Sequence, residues 1–377
     1  MILNDICEFI VDCPHTTAPD EGVGYPLIRT PNIGKGRLNL NGVHRVSEEV
    51  YRSRIQRGIP QDNDLIFARE APPGNVAIVK NGEKVCLGQR TVLLRPDKRK
   101  VIPDYLVYYI LAPKQQYKLL GTANGATVAH VNLSIIRNMP VELPSLDVQE
   151  RIAGYISTFD NLIENNQKQI KLLEEAAQRL YKEWFVDLHF PGYEDVEIVD
   201  GVPEEWEKEQ IGNIIGMVPR TKQIKTADYL LEGAIPVIDQ SRNFIAGYTN
   251  DGEALVNTKT PVIVFGDHTR ILKYIQFPFA KGADGTQLII SDRTNMPQSL
   301  LYLSLIAVDL SNYHYARHFK YLKSESILIP SQNIADEFDR LISPIFPQIQ
   351  MLRNKCYKLS EARDRLLPKL MSGEIEV

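Results

Sequence analysis

Apolar residues recur every fourth and third position through the middle of the chain. Ile152, Ile156, Phe159, Ile163, Asn166, Ile170, Leu173, Ala177, Leu180 and Trp184 follow that rhythm without a break. Alternating steps of four and three make a heptad seam on one helix face. The pattern predicts a helix from about Gln149 to about Asp187. From Ile152 to Trp184 such a helix runs about 48 Å at about 1.5 Å per residue. Asn166 is the lone polar seam position. It is expected to cost stability and to fix the register of whatever pairs with the seam.

The seam returns near the C-terminus, displaced by 186 residues. Ile152, Ile156, Phe159, Ile163 and Asn166 fall on Phe338, Ile342, Ile345, Ile349 and Leu352. Ile170, Leu173, Ala177, Leu180 and Trp184 fall on Cys356, Leu359, Arg363, Leu366 and Leu370. Ile156/Ile342, Leu173/Leu359, Glu175/Glu361, Arg179/Arg365 and Leu180/Leu366 match, and so do Pro144/Pro330 and Ser145/Ser331 upstream. A gap-free match of this length indicates internal duplication. Two equal seams in one polypeptide bury each other most simply by pairing. The second differs from the first in Pro344 and Pro347, which predict a break or kink. It differs also in Arg363, which stands at a seam position.

The segments between the seams mix short strand patterns, helices and long polar loops. In residues 1–145, LNDICEFI suggests a short helix and YPLIRT a strand. SEEVYRSRI suggests a helix capped by Ser47, LIFARE a buried strand, VAIVKNGEKV a hairpin and TVLLRPD another strand. PDYLVYYILAPKQQYKLL reads as a helix from Pro103, and the block ends in a short helix or turn and a strand. Residues 196–333 follow the same plan: GAIPVIDQSRNFIAGY parallels YPLIRTPNIGKGRL, TPVIVFGDHTR parallels NDLIFARE, and FAKGADGTQLIIS parallels VCLGQRTVLLR. The expected fold is mixed α/β (α+β). Two similar globular domains, 1–145 and 196–333, are separated by helices at 146–190 and 334–377. These form an antiparallel coiled coil, and the whole is a pseudo-twofold repeat. The helix-pairing positions are Ile156, Phe159, Ile163, Ile170, Leu173 and Leu180 against Ile342, Ile345, Ile349, Leu352, Leu359 and Leu366.

Composition narrows the function. Hydrophobic residues make up 44% and charged residues 24% of 377, as in globular proteins. No apolar run reaches the length of a membrane span. The opening segment has no basic run before an apolar core, so no secretory leader is expected. The four cysteines form neither a disulfide framework nor a CxxC metal site. A cytoplasmic location follows as the expectation. The net charge is −4, too acidic for a bulk phosphate binder. The acid excess lies on residues 146–200, while residues 1–145 are mildly basic. A reader of base edges with few phosphate contacts is compatible with that balance.

Catalytic motifs are missing. The sequence has no GxxxxGK[ST] phosphate loop, no GxGxxG after a strand, no HExxH and no GxSxG. Instead, polar residues gather at strand ends. In the first block these are His15 and Thr16, then Arg29, Thr30, Asn32, Lys35 and Arg37, then Arg69, Gln89, Arg90, Thr127 and His130. In the second they are Arg242, His268, Arg270, Lys281, Gln287, His314, Arg317 and Lys320. Such side chains hydrogen-bond base edges and phosphates. They also suit loops that are merely solvated.

The chain resembles the DNA specificity subunit of type I restriction-modification systems over its whole length. The residues that carry the resemblance are LPSLDVQERIAGYISTFDNLIENNQKQIKLLEEAAQRLYKEWFVD, GVPEEW leading into EQIGNI, and the terminal ARDRLLPKLMSGEIEV. The DCPHTT and YPLIRTPNIGKGRL segments resemble one lineage of that family's target-recognition domains. The resemblance implies two target-recognition domains, each reading one half of a split sequence on double-stranded DNA. It implies that the paired helices set the spacer and recruit two modification subunits, with restriction subunits added. No cofactor is expected in this chain; S-adenosylmethionine, ATP and Mg belong to the partners. The subunit itself is expected to be non-catalytic and free of metal and membrane. The competing readings are a coiled-coil adaptor that binds proteins without DNA specificity, and a stand-alone nuclease or methyltransferase.

Overall fold

The computed structural model describes residues 1–80, 82–121, 130–313 and 317–377. The chain divides into two compact units, Met1–Asn166 with Lys355–Val377, and Gln167–Asn354.

In the first unit, a sheet runs in the order β1 (Cys7–Asp12), β8 (Thr91–Pro96), β5 (Leu65–Ala68), β6 (Val76–Ile78) and β3 (Gly36–Arg37). A smaller one runs β4 (Arg45–Val46), β2 (Tyr25–Ile28) and β7 (Cys86–Leu87), with β2 and β7 parallel. Strand β5 explains the packing. LIFA is apolar without alternation because both of its faces are covered. Leu65 and Phe67 join the core with Leu94 and the helix α2 (Pro103–Leu111). Ile66 and Ala68 join the opposite cluster with Ile28, Ala77 and Leu93. Around these lie α1 (Glu48–Arg54), α3 (Pro113–Gly121) and α4 (Leu133–Arg137). The long helix expected from Pro103 is two helices. Ala112, ahead of Pro113, turns to an extended ψ of 142°, as the ring of a following proline dictates.

Three other expectations for this unit change. LNDICEFI is one 3-10 turn, Leu3–Ile6, followed by β1, because ladder bonds to β8 claim its second half. VAIVKNGEKV is not a hairpin. Its buried first arm is β6 beside β5, and its second arm leads into β7, which joins a different sheet beside β2. The closing strand of the block is reduced to a bridge between Ile2 and Pro140.

The second unit begins with the small hairpin β9 (Ile198–Val199) and β10 (Val202–Pro203), then β11 (Glu207–Gln210) and α6 (Ile211–Ile214). Its main sheet runs β12 (Ile215–Gly216), β19 (Thr286–Ser291), β16 (Val262–Gly266) and β17 (Leu272–Ile275). The smaller runs β14 (Gly247–Thr249), β13 (Ile235–Ile238), β18 (Phe279–Lys281) and β15 (Leu255–Val256). Helices α7 (Gln298–Ala307) and α8 (His318–Ser324) precede β20 (Ser326–Ile329), which pairs with β11. The order β12-β19-β16-β17 repeats β1-β8-β5-β6, and β13 lies parallel to β18 as β2 does to β7. Register confirms the equivalence. Ala68 faces Thr91 and Gly266 faces Thr286. Both threonine hydroxyls are buried and donate three residues back, to Gly88 O at 2.9 Å and Ala283 O at 3.0 Å.

The seam residues lie on α5 (Leu146–Phe185), α9 (Gln332–Ile342) and α10 (Ile345–Ser372). The gap between α9 and α10 is at Ser343-Pro344, where the missing N–H of proline interrupts the ladder. Pro347 falls in the first turn of α10, where no N–H has an intrahelical partner. In the first unit Asp160 meets Arg363 and the Ile163 carbonyl meets Cys356. Numbers rise on one helix as they fall on the other, so α5 and α10 run antiparallel. The seam is also a docking face. Ile152 and Ile156 enter the core of the first unit, and Ala177, Ile342 and Ile349 that of the second. Ile170, Leu173, Leu180 and Ile345 pack half-buried against the second core, Leu366 against the first, and Leu352 is 5% exposed. Phe159, Ile163 and Leu359 stay half-buried.

The duplication is broken at one seam layer. Asp160 accepts from Arg363 at 2.6 Å and from the Tyr108 hydroxyl at 2.7 Å. The same positions in the other copy are Phe346 and Ala177, both in the second core. One copy holds a buried ion pair where the other is apolar.

Candidate nucleic-acid interface

In the first unit, the ends of β1, β5 and β8 and the segment before α4 bring seven polar side chains together. Arg69 follows β5 directly and is 9% exposed. Its backbone N–H bonds Arg90 O at 2.9 Å, and its carbonyl receives Val131 N–H at 3.0 Å. Its guanidinium donates to Val131 O at 3.0 Å, Asp12 at 2.8 Å and His130 Nε2 at 2.6 Å. A guanidinium only donates. His130 Nε2 therefore accepts, and the ring proton on Nδ1 goes to Glu70 Oε1 at 2.7 Å. Glu70 Oε2 in turn receives Arg90 Nε at 2.9 Å. His15 pairs with Asp12 at 3.3 Å, and Gln89 donates to the His15 carbonyl at 2.8 Å. The cluster is layered. Arg69, Asp12 and Glu70 form its inner frame, while the His15 and Arg90 side chains are 66% and 57% exposed. Arg90 has φ of 66°, so its side chain leaves the strand end at an angle that regular strand geometry forbids.

In the second unit the same strand ends carry different chemistry. Position 267, equivalent to Arg69, is an aspartate. Asp267 N bonds Gly285 O, as Arg69 N bonds Arg90 O. Its carboxylate accepts Phe319 N–H at 2.7 Å, and its carbonyl accepts His318 N–H at 2.9 Å. Gln240, equivalent to Thr30, holds the centre. It accepts His268 N–H at 3.0 Å, donates to Asp284 O at 2.8 Å, and its carbonyl receives the Thr269 hydroxyl at 2.7 Å. Gly285, with φ of 82°, stands where the first unit has Arg90. Its missing side chain leaves room for the His268 ring, which a Cβ would meet at 2.7 Å.

The remaining candidates divide. Thr16 lies exposed beside this first cluster and its hydroxyl receives Arg54 at 3.3 Å. Arg29 is half-buried with an unpartnered Nε, and Thr30 is buried. Asn32 is buried too, its amide bound to Arg29 N and Asn39 O. Lys35 and Arg37 sit apart. Lys35 lines a pocket with Tyr108 and Arg363, and Arg37 reaches Asn161 at 3.2 Å and Asp104 at 3.7 Å. Arg242, His268, Arg317 and Lys320 are exposed. Arg270 is tied to Tyr313 O at 2.8 Å. Lys281 and Gln287 line a groove with Arg220, Lys323 and Phe319. Burial, then the nearby Arg220, lowers the Lys281 pKa. Thr127 and His314 lie outside the described residues. Sequence reading missed Asp12, Glu70 and Asp267, whose carboxylates frame the clusters, and Gln240 within IDQSRN. A carboxylate after a strand carries no signal until the pairing is known.

Among the described residues no group of three His, Cys, Asp or Glu is placed to hold a metal ion. All four cysteines are free, and burial pushes the Cys7 and Cys86 thiols up to about 12. No helix of the described residues is long and apolar enough to cross a membrane.

The chain thus holds two copies of one scaffold with different polar groups at equivalent strand ends. Residues 1–175 match the family described as type I restriction modification DNA specificity domain. It is 26% identical over 363 residues to the type I restriction enzyme MjaIX specificity subunit of Methanocaldococcus jannaschii, covering 89% of this chain and 83% of that one. It is 28% identical over 383 residues to the MjaVIII specificity subunit of the same organism, covering 94% and 86%. The fold is similar to that of the type I restriction-modification S subunit from M. genitalium, with a TM-score of 0.54 at 15% identity over 98% of this chain and 95% of that one.

Proposed function

We propose that the chain is the sequence-reading subunit of a type I restriction-modification enzyme, each unit reading one half of a bipartite target on double-stranded DNA. The observation that carries this is the pair of unlike strand-end clusters on matching sheets. In the first unit Arg90, His15 and Gln89 offer donors to guanine or to phosphate; in the second Gln240 and His268 offer amide and ring nitrogens. The helices α5, α9 and α10 recruit two modification subunits and set the spacer between half-sites, and restriction subunits complete the assembly. The chain carries no catalytic group of its own. S-adenosylmethionine, ATP and Mg are held by the partners, and the base to be methylated is extruded by them. The setting is the cytoplasm.

The test is binding and methylation by the chain together with its modification subunit. Sequence-specific retention of a duplex and methyl transfer only with the partner present are expected. Turnover by the chain alone, or binding that ignores sequence, contradicts the reading.

A further inference from the structure

Strand β17 carries a buried lysine that the fold does not require. Lys273 is 4% exposed. Its strand position faces Val264, beside the apolar cluster of Ile238, Val262, Ile275 and Phe279. The equivalent position in the first unit, facing Ile66, is Ala77, which is fully buried. An uncharged side chain therefore satisfies the same site in the same sheet. An ammonium placed there loses its hydration, which is costly. Burial lowers its pKa to about 8.

The Lys273 side chain spans the base of the loop after β13. Nζ donates to the Asp239 carbonyl at 2.8 Å and to the Asn243 carbonyl, and lies 3.9 Å from the Asp239 carboxylate. Those two carbonyls bracket Gln240, Ser241 and Arg242. Gln240 is the centre of the second cluster, and Arg242 is exposed at the loop tip. The first unit braces its equivalent loop differently. It uses the 3-10 turn Thr30–Asn32 and the amides of Asn32 and Asn75, the latter donating to Ile33 O at 2.9 Å.

We propose that Lys273 is a positioning residue for half-site recognition by the second unit: it holds the Gln240–Arg242 loop in its reading conformation without touching DNA. This rests on the second unit being a half-site reader. A lost base contact changes discrimination by about tenfold or more, and a misplaced loop acts on the same scale.

The experiment uses the full chain assembled with its modification subunit, as wild type and as Lys273→Met. Methylated sites are mapped on genomic DNA. Duplexes with single-base changes in either half-site are then compared for binding. Expected for Lys273→Met is a loss of discrimination of about tenfold in the second half-site, unchanged discrimination in the first, and a melting temperature no lower than wild type. Hydrogen exchange at 239–243 should be faster in the variant. Equal loss in both halves, full retention in the second half, or unchanged exchange overturns the proposal. If Lys273→Met does not fold, Lys273→Ala, which copies Ala77, takes its place. Failure of both to fold shows that Lys273 holds the unit rather than the loop, and also overturns it. A wild-type complex whose two half-sites do not map to the two units sinks the half-site reading instead, a separable outcome.

Discussion

The strand-end clusters of the two units share their scaffold and almost nothing of their chemistry. Arg69, Arg90 and Thr30 of the first unit are matched by Asp267, Gly285 and Gln240 of the second. The first cluster is a chain of side-chain hydrogen bonds and ion pairs, Arg90 to Glu70 to His130 to Arg69 to Asp12. The second is an amide bonded to backbone, Gln240 to His268 and Asp284. Both keep the hydroxyl turn at Thr91 and Thr286 and a residue of positive φ before it. The hydroxyl turn and the strand order are preserved, and the polar groups at the strand ends diverge. That is the pattern expected when the two copies recognise different sequences.

The largest break in the comparison is at the helix pair. Asp160→Ala leaves Arg363 buried with its main partner gone, a loss of about 3–5 kcal/mol for a buried pair. Urea unfolding of the first unit should show it. The double change Asp160→Phe with Arg363→Ala copies Phe346 and Ala177 and should recover most of that loss. Equal instability in the double variant would mean the two seam layers are not interchangeable.

Next comes Arg69→Ala. It takes the guanidinium away from the half-buried Asp12 carboxylate, leaving that group His15 and the Cys13 N–H, and it frees His130, so stability falls by about 1–3 kcal/mol. Base discrimination should be lost in one half-site and kept in the other, as read by binding to half-site variants. Gln240→Ala is the mirror test, with the opposite half affected. Loss in the same half for both variants would end the comparison. Arg90→Ala is milder, because its guanidinium is more than half exposed. If it neutralises a phosphate, the slope of log affinity against log salt should fall by about 1, with sequence preference little changed.

The smallest effect is with pH. The folded pKa of Lys273, about 8, lies below the ordinary lysine value. Between these two values the unfolded chain binds more protons, so stability rises as pH increases through that window. Below about 8 the burial cost is fully present. Urea midpoints of wild type should gain on those of Lys273→Met between pH 8 and 10. A flat difference would show that the ammonium is not desolvated.

Periodicity made the helices legible. The heptad steps from Ile152 to Trp184 lie within α5, and Pro344 marks the gap before α10. The repeat of 186 residues led to the equivalent sheets. The strand-end motifs around Arg69, Gln89, Arg90 and His130 also come together. What stayed hidden depended on pairing over long range. The hairpin at 76–85 failed because the strand that follows it, β7, is recruited by β2, Leu27 facing Cys86 and Ile28 facing Leu87. Lys35 and Arg37 lie toward the helices because β3 joins the far edge of the main sheet. Lys273 carries no sign of burial in ILKYIQF, and its register opposite Val264 places it inside.

The most direct measurement exchanges residues 1–145 for the corresponding block of another specificity subunit and maps methylated sites of the assembled enzyme. One half of the target should change to the donor's sequence while the other half and the spacer stay as they were. New bases in both halves, or in neither, would contradict the assignment of one half-site to each unit.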